Sequence, residues 1–310
     1  MSACCFCFSK SRDPQTTGPL IKRDPEDHYL LFIQDPELKF TRKSLDSTKP
    51  GLETPLESLP DTSSLQVKQS VESIHSVQSN ISLLYFPSND GFLPCSDIVA
   101  SKFSSFDKIL DLEASSDWEI KIEKPFSCIM LKIGTLSHPE IPLLKGFFDM
   151  ELNADPEDLY KVLYSPDIRK KWDVNIEQFF EITNKSQDVV EYYMHNKAPW
   201  PFADRDFVES RFIRKRINGD IEILFMSLEL KDYPENKDKA IRGETIIGGQ
   251  IFRKRISPVT GKPSLYVTTI CQADMKGEIP KKLLQITLPS SFLKWYRTVK
   301  KQTQIRIQND

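Results

Sequence analysis

From residue 176 onward, six segments rich in Val, Ile, Phe and Tyr follow in quick succession: IEQFFEIT, DVVEYYMHN, RDFVESRFIRKR, DIEILFMSLEL, RGETIIGGQIFRKR and SLYVTTICQAD. Several alternate apolar with polar residues, the pattern of an antiparallel sheet with one buried face. Asn218-Gly219 is a hairpin signal between the third and fourth of them, and KDYPENKDKA reads as a polar loop. A sheet of this size curls, and curling makes a concave face. What covers that face decides the rest of the fold.

The flanking sequence supplies covers. Ser96 and Asp97 are suited to start a helix on which Val99, Phe103, Phe106 and Leu110 recur at three- and four-residue spacing. Three more strand candidates follow, WEIKIEK, SCIMLKIG and LLKGFFDMEL. In DPEDLYKVLYSPDIRKKWD, Asp155 caps, Pro156 fits a first turn, and Ser165-Pro166 breaks and restarts the helix. After KGEIPKK a C-terminal helix begins, which Pro289 is expected to interrupt, with Ser290 and Ser291 capping a second piece. The expected fold class is α+β: a helix, about nine antiparallel strands broken by two short helices, and a long closing helix. Such a helix laid across the sheet leaves either a covered cavity or a packed core.

Residues 1–94 read differently. They are rich in Ser, Thr, Pro and Asp and keep neither helical nor strand periodicity, as in STKPGLETPLESLPDTSSL. Such a segment buries too little apolar surface to offset its ordering entropy, so it is expected to be mostly disordered, with a protein partner as one use for it. DHYLLFIQ and ISLLYF are short apolar exceptions. The expected division is therefore 1–94 tail, 95–303 folded domain and 304–310 tail. With 310 residues and 39 % apolar content the chain has room for one ordinary domain plus extra sequence, or two small ones.

Charge and cysteine usage narrow the function class. A formal net charge of −2 argues against nucleic acid as a partner. No apolar run approaches the roughly 18 residues of a membrane span, and MSACCFCFSKSR makes a poor secretory signal. Cys4, Cys5 and Cys7 lack the second ligand pair of a zinc site. Beside Phe6, Phe8, Lys10 and Arg12 they read as S-acylation candidates or as an idle tail with exposed thiols. A cytoplasmic, peripheral-membrane monomer is the expectation.

Four blocks, DWEIKIEK, SPDIRKKWD, WPFADRDFV and KGEIPKKLL, in this order and at these separations, resemble a START domain, the lipid-transfer module related to steroidogenic acute regulatory protein. The likeness covers roughly residues 96–303 and is nearest to the phosphatidylcholine-transfer and ceramide-transfer branches. It implies a helix-grip fold of the START and Bet v 1-like kind, in which a curved sheet and a C-terminal helix enclose one lipid. It also implies a phospholipid or ceramide-like ligand and no cofactor or metal.

The resemblance gives roles to particular residues. Arg169 and Asp173 lie four apart on one helix face, which by itself describes a surface ion pair. In similar proteins the matching arginine meets the lipid head group and the acid orients it, chemistry that suits a guanidinium fork. Met194 and Phe207 stand where the phosphatidylcholine relative has a caging tryptophan and tyrosine, so a choline cage is in doubt. Tyr192, Tyr193 and Tyr266 are candidates to compensate, and plain core packing is the other reading of all five residues. Trp200, held between Pro199 and Pro201, is either a membrane-inserting corner, as in the ceramide-transfer relative, or a buried plug at the end of the sheet. Phe292, Lys294 and Trp295 on the closing helix are further expected membrane contacts. Arg205 and Asp206 read as structural.

Binding and transfer of one lipid between intracellular membranes is the leading functional reading. A lipid sensor that passes a signal through its N-terminal tail is the alternative. Catalysis is not expected, because none of His28, His75, His138 and His195 accompanies a serine or cysteine motif.

Overall fold

A computed structural model describes residues 90–133, 138 and 140–309. The proposed tail elements, including Cys4, Cys5, Cys7, DHYLLFIQ and ISLLYF, lie outside the described residues. The described chain opens with α1 (Asp97–Ala100) and α2 (Phe103–Ala114), then strands β1 (Glu119–Lys124), β2 (Ser127–Lys132) and β3 (Leu143–Asp149). Helices α3 (Pro156–Tyr164) and α4 (Pro166–Trp172) follow. Next come β4 (Ile176–Ser186), β5 (Val189–Asn196), β6 (Arg205–Lys215), β7 (Ile221–Ser227), β8 (Ile241–Arg242), β9 (Glu244–Ile256) and β10 (Pro263–Asp274), closed by α5 (Lys281–Asn309).

The strands form one curved sheet in the order β1-β2-β3-β10-β9-β7-β6-β5-β4, with the two-residue β8 pairing alongside β6. Every other pairing is antiparallel. The hairpin expected at Asn218-Gly219 joins β6 to β7, with Gly219 at φ 87°, a conformation that glycine reaches without a Cβ penalty.

Side-chain alternation splits the apolar residues between two faces. On the convex face, α1 and α2 bring Val99, Phe106 and Ile109 against Phe212, Leu224, Ile247, Ile251 and Ile270. Ion pairs fasten this layer. Arg253 donates to both Glu113 oxygens, at 2.6 and 2.8 Å. The concave face carries Ile129, Leu131, Leu144, Phe148, Phe207, Phe225, Phe252 and Val267, and α5 lies across it with Leu284, Leu288, Phe292 and Tyr296. Gly146 permits the approach of that helix, since a Cβ there would stand 2.2 Å from Phe292 Cε1.

Two expectations about the closing helix fail. Pro289 does not divide it, and it runs on past residue 303 to Asn309. Proline costs a mid-helix hydrogen bond. Here the residues on both sides of it, Leu284, Leu288, Phe292 and Tyr296, share one buried face, and Pro289 is buried with them. Packing against a single sheet keeps the two halves in line. Ser290 caps nothing; its hydroxyl donates back to the Thr287 carbonyl at 3.0 Å.

Candidate functional site

The space between the concave face and α5 contains charge. Arg169, on α4, is fully buried, and Asp173 at the helix end is 3 % exposed. Arg169 Nε and Nη2 donate to Asp173 Oδ2 at 3.1 and 2.9 Å, and Nη1 donates to the Leu163 carbonyl at 3.0 Å. From α5, the Trp295 indole donates to the same Asp173 oxygen at 3.2 Å. Aromatic rings flank the guanidinium: Trp172, Phe179 and Trp295 have centroids 5.4, 5.8 and 5.3 Å from its central carbon. The pair is therefore not a surface ion pair. A buried pair adds little net stability over apolar replacements, while removing one partner is expensive, so its placement calls for a use.

A second guanidinium stands on the same wall. Arg211, on β6, is 1 % exposed and lies 4.6 Å from the Tyr164 ring, 4.3 Å from Tyr192 and 5.5 Å from Phe179. Its Nη2 donates to Glu209 at 3.3 Å, and Glu209 accepts from the Thr245 hydroxyl at 2.6 Å. A hydrogen-bonded row then crosses the floor. The Tyr164 hydroxyl bonds Gln250, Gln250 donates to Thr269 at 3.2 Å, and Thr269 pairs with the Tyr296 hydroxyl at 2.9 Å. Burial pushes the Tyr164, Tyr192 and Tyr296 phenols well above their ordinary range.

Sheet register brings Phe179, Met194 and Phe207 into one row across β4, β5 and β6. Met194 and Phe207 are each 1 % exposed, and neither side chain carries a hydrogen-bond donor. Of the residues expected to meet ligand, Arg169, Asp173, Met194 and Phe207 thus gather on the concave side. Tyr193 and Tyr266 do not. Alternation turns Tyr193 to the opposite face, where it stacks on Phe180 at 5.1 Å. Tyr266 packs on the convex side with Cys128, Met130 and Phe147. Tyr192 is the inward member of its pair. Arg211 was missed, although the signal was there: it lies four residues after Phe207 on one strand, so a Phe207 that faces inward carries Arg211 with it.

The expected membrane contacts divide likewise. Trp200 is 75 % exposed on the β5–β6 loop, and Lys294 is exposed on α5. Phe292 and Trp295 are 1 and 3 % exposed, because both belong to the inner face of α5. Trp295 serves Asp173 rather than solvent. His195 Nε2 lies 2.9 Å from Asp204 Oδ2, and Asp204 Oδ1 accepts from the Ala198 N–H at 2.8 Å, so this histidine braces the two ends of the Trp200 loop. Arg205 is structural as expected, with Nε donating to the Met275 carbonyl at 2.8 Å. Asp206 pairs with Arg242, at 2.8 and 2.9 Å. At this same end of the sheet a crevice of about 900 Å³ opens between Ala203, Leu228, Ile241, Arg242 and Lys276. Among the described residues no cluster of His, Cys, Asp and Glu is arranged to hold a metal ion, and no helix is long and apolar enough to cross a membrane.

A family profile for the START domain matches residues 144–305, just over half of the chain. The chain belongs to the START-domain family. Proteins of this family bind and transfer lipids and are generally not enzymes. START domain-containing protein 10 of Mus musculus and of Homo sapiens each align at 30 % identity over 145 residues, 46 % of this chain and 47 % of theirs. The chain thus spans about half the length of the curated relatives it matches. The crystal structure of human STARD10 superposes with a TM-score of 0.56 at 23 % identity, covering 70 % of this chain and 83 % of that one. Human StAR-related lipid transfer protein 5 does so with a TM-score of 0.57 at 18 % identity, covering 67 and 97 %. These are likenesses of fold, and the START helix-grip arrangement is the one observed here.

Proposed function

We propose that this START domain binds one phospholipid between the concave face and α5 and exchanges it between membranes. The observation that carries this reading is the Arg169–Asp173 pair, buried under α5 among Trp172, Phe179 and Trp295. A phosphoryl oxygen is a natural third partner for such a pair, since a guanidinium fork binds phosphate and the carboxylate keeps the charge compensated when no ligand is there. Arg211 with Glu209 offers a second polar contact on the same wall. The Phe179, Met194 and Phe207 row supports acyl chains rather than a choline cage.

Two acyl chains of about thirty methylenes represent on the order of 24 kcal/mol of burial at ~0.8 kcal/mol each. Release into water is therefore prohibitive, and exchange must occur against a bilayer. The exposed Trp200 corner is the part of this domain best suited to meet one, with an apolar ring and a polar N–H for the interface. Passage of the lipid requires loops to part, and Ala203, with Leu228, Glu229, Glu235 and Lys237 of the loop before β8, borders the crevice at that end. If Cys4, Cys5 and Cys7 are acylated, exchange is confined to one membrane.

Native mass spectrometry of the chain purified from cells, joined to a vesicle-to-vesicle transfer assay, tests the reading. The expected result is one phospholipid per chain and transfer that falls when Trp200 is changed to Ala. A chain that carries no lipid and moves none between vesicles overturns it. Binding without transfer makes the domain a sensor.

A further inference from the structure

The turn between α4 and β4 has a feature that the lipid-carrier reading leaves unused. Val174 directly follows the buried Asp173, yet it is 74 % exposed. A single exposed apolar residue means little by itself. Three further observations give this one a context.

The first is position. The Lys197 N–H donates to the Asn175 carbonyl at 2.7 Å, and Ile176 pairs with Asn196. The Val174 turn is thereby stitched to the base of the Trp200 loop, so the two most exposed large apolar side chains of the described residues emerge at one end of the sheet. The second is charge. Asp167, Lys170 and Lys171 share the side of α4 opposite Arg169 and Trp172, and the two lysines lie in its last turn, three and four residues before Val174 in the chain. Lys170 and Lys171 are exposed, and among the described residues neither makes an ion pair. Glu177, beyond the turn, is paired with Lys197, and Asp167 stands one turn before the lysines. The third is what lies behind. Asp173 Oδ2 accepts from Arg169 and Trp295, so whatever meets Val174 arrives beside the buried fork.

We infer that Val174 is a second bilayer-inserting point beside Trp200, held by Lys170 and Lys171 on an anionic phospholipid surface. The occupant is a lipid headgroup layer rather than a protein, because the feature is a small apolar tip that follows two exposed lysines without ion pairs among the described residues, and not a groove. Lysines near an anionic leaflet each strengthen binding about fivefold, and that gain disappears on neutral lipid. The inference rests on the reading that this domain docks on membranes.

The test is co-sedimentation of the full chain with phosphatidylcholine vesicles, with and without phosphatidylserine. Val174→Asp is expected to lower partition on both vesicle types about tenfold or more. The double variant K170A/K171A is expected to lose more than tenfold on the anionic vesicles and almost nothing on the neutral ones. Lipid content by native mass spectrometry and the unfolding midpoint should stay at wild-type values in both. Wild-type partition of Val174→Asp, while Trp200→Ala loses binding, overturns this inference and leaves the carrier reading standing. Equal loss on both vesicle types for K170A/K171A overturns the anionic part of it. A wild-type chain that binds neither vesicle type overturns the inference together with the membrane contact assigned to Trp200.

Discussion

Arg169 and Arg211 come from different elements, α4 and β6, and both stand on the ring of Phe179, at 5.8 and 5.5 Å. Each has its own carboxylate, Asp173 or Glu209. Each buried guanidinium on the concave wall is therefore compensated by a carboxylate of its own. Such compensation keeps two buried guanidinium groups from leaving uncompensated charge under α5. Arg169→Met strands Asp173 in an apolar site, and the chain should lose about 3–5 kcal/mol of stability. Pairing it with Asp173→Leu should restore most of that loss, since well-packed apolar replacements of buried ion pairs are often neutral. Lipid retention should not return. Urea unfolding and native mass spectrometry read the two effects separately. A double variant that still carries phospholipid would remove the fork from the binding site.

The buried phenols predict an alkaline limit. Tyr164, Tyr192 and Tyr296 are each raised above the ordinary 10.0, chiefly by burial. Arg211 pulls the first two partly back, and the Thr269 hydrogen bond does the same for the third. A group whose pKa is higher folded than unfolded adds stability that is fully present below the unfolded value, near 10. That contribution is lost as pH rises past it, because only the unfolded chain ionises there. Phenolate absorbance of these three should thus appear together with loss of the fold, above pH 10. Three ordinary titrations with the fold intact would contradict the burial of the concave wall.

Much of the architecture was legible because it depends on local pattern. Alternation in IEQFFEIT and DVVEYYMHN, the Asn218-Gly219 turn and the Ser165-Pro166 restart each correspond to an observed boundary. The site was legible only in part. Arg169 and Asp173 share a helix face at i and i+4, so either one locates the other. Choosing between Tyr192 and Tyr193 requires the phase of a strand, and a one-residue shift of phase reverses every choice. Tyr266 was misplaced for that reason too. Phe292 and Trp295 looked amphipathic beside lysines, but the face they occupy is decided by which side of α5 meets the sheet. Pro289 was read by its local cost alone, and the tertiary packing that outweighs it is not a local signal.

The close approach at Gly146 gives a packing prediction. A methyl there would stand 2.2 Å from Phe292 Cε1 and 2.8 Å from Phe148 Cε2. Phe148 is itself stacked on Tyr296 at 3.6 Å, so neither ring has an easy retreat. Gly146→Ala should cost about 1–3 kcal/mol, as overpacking of a close-packed interior does. It should also weaken the hold of α5 on the sheet. Hydrogen exchange along Leu288–Tyr296 ought to quicken more than exchange in α2, on the opposite face. Equal exchange in both helices would show that α5 does not depend on this contact.

Trp295 offers the sharpest test of which way α5 faces. Its indole donates to Asp173 Oδ2 at 3.2 Å, and its ring lies 6.2 Å from that of Trp172 and 5.3 Å from the Arg169 guanidinium. Trp295→Phe keeps an aromatic ring and removes the donor, leaving a buried carboxylate with one bond fewer. The expected cost is about 1–3 kcal/mol, and it should fall on stability and lipid retention together. Intrinsic partition to vesicles should be unchanged, because this ring does not reach solvent. Trp200→Phe should do the reverse, altering vesicle binding while the unfolding midpoint stays put. Stability from chemical unfolding and partition from co-sedimentation separate the two residues. If Trp295→Phe abolishes vesicle binding with an unaltered midpoint, the ring faces the bilayer and α5 is turned the other way.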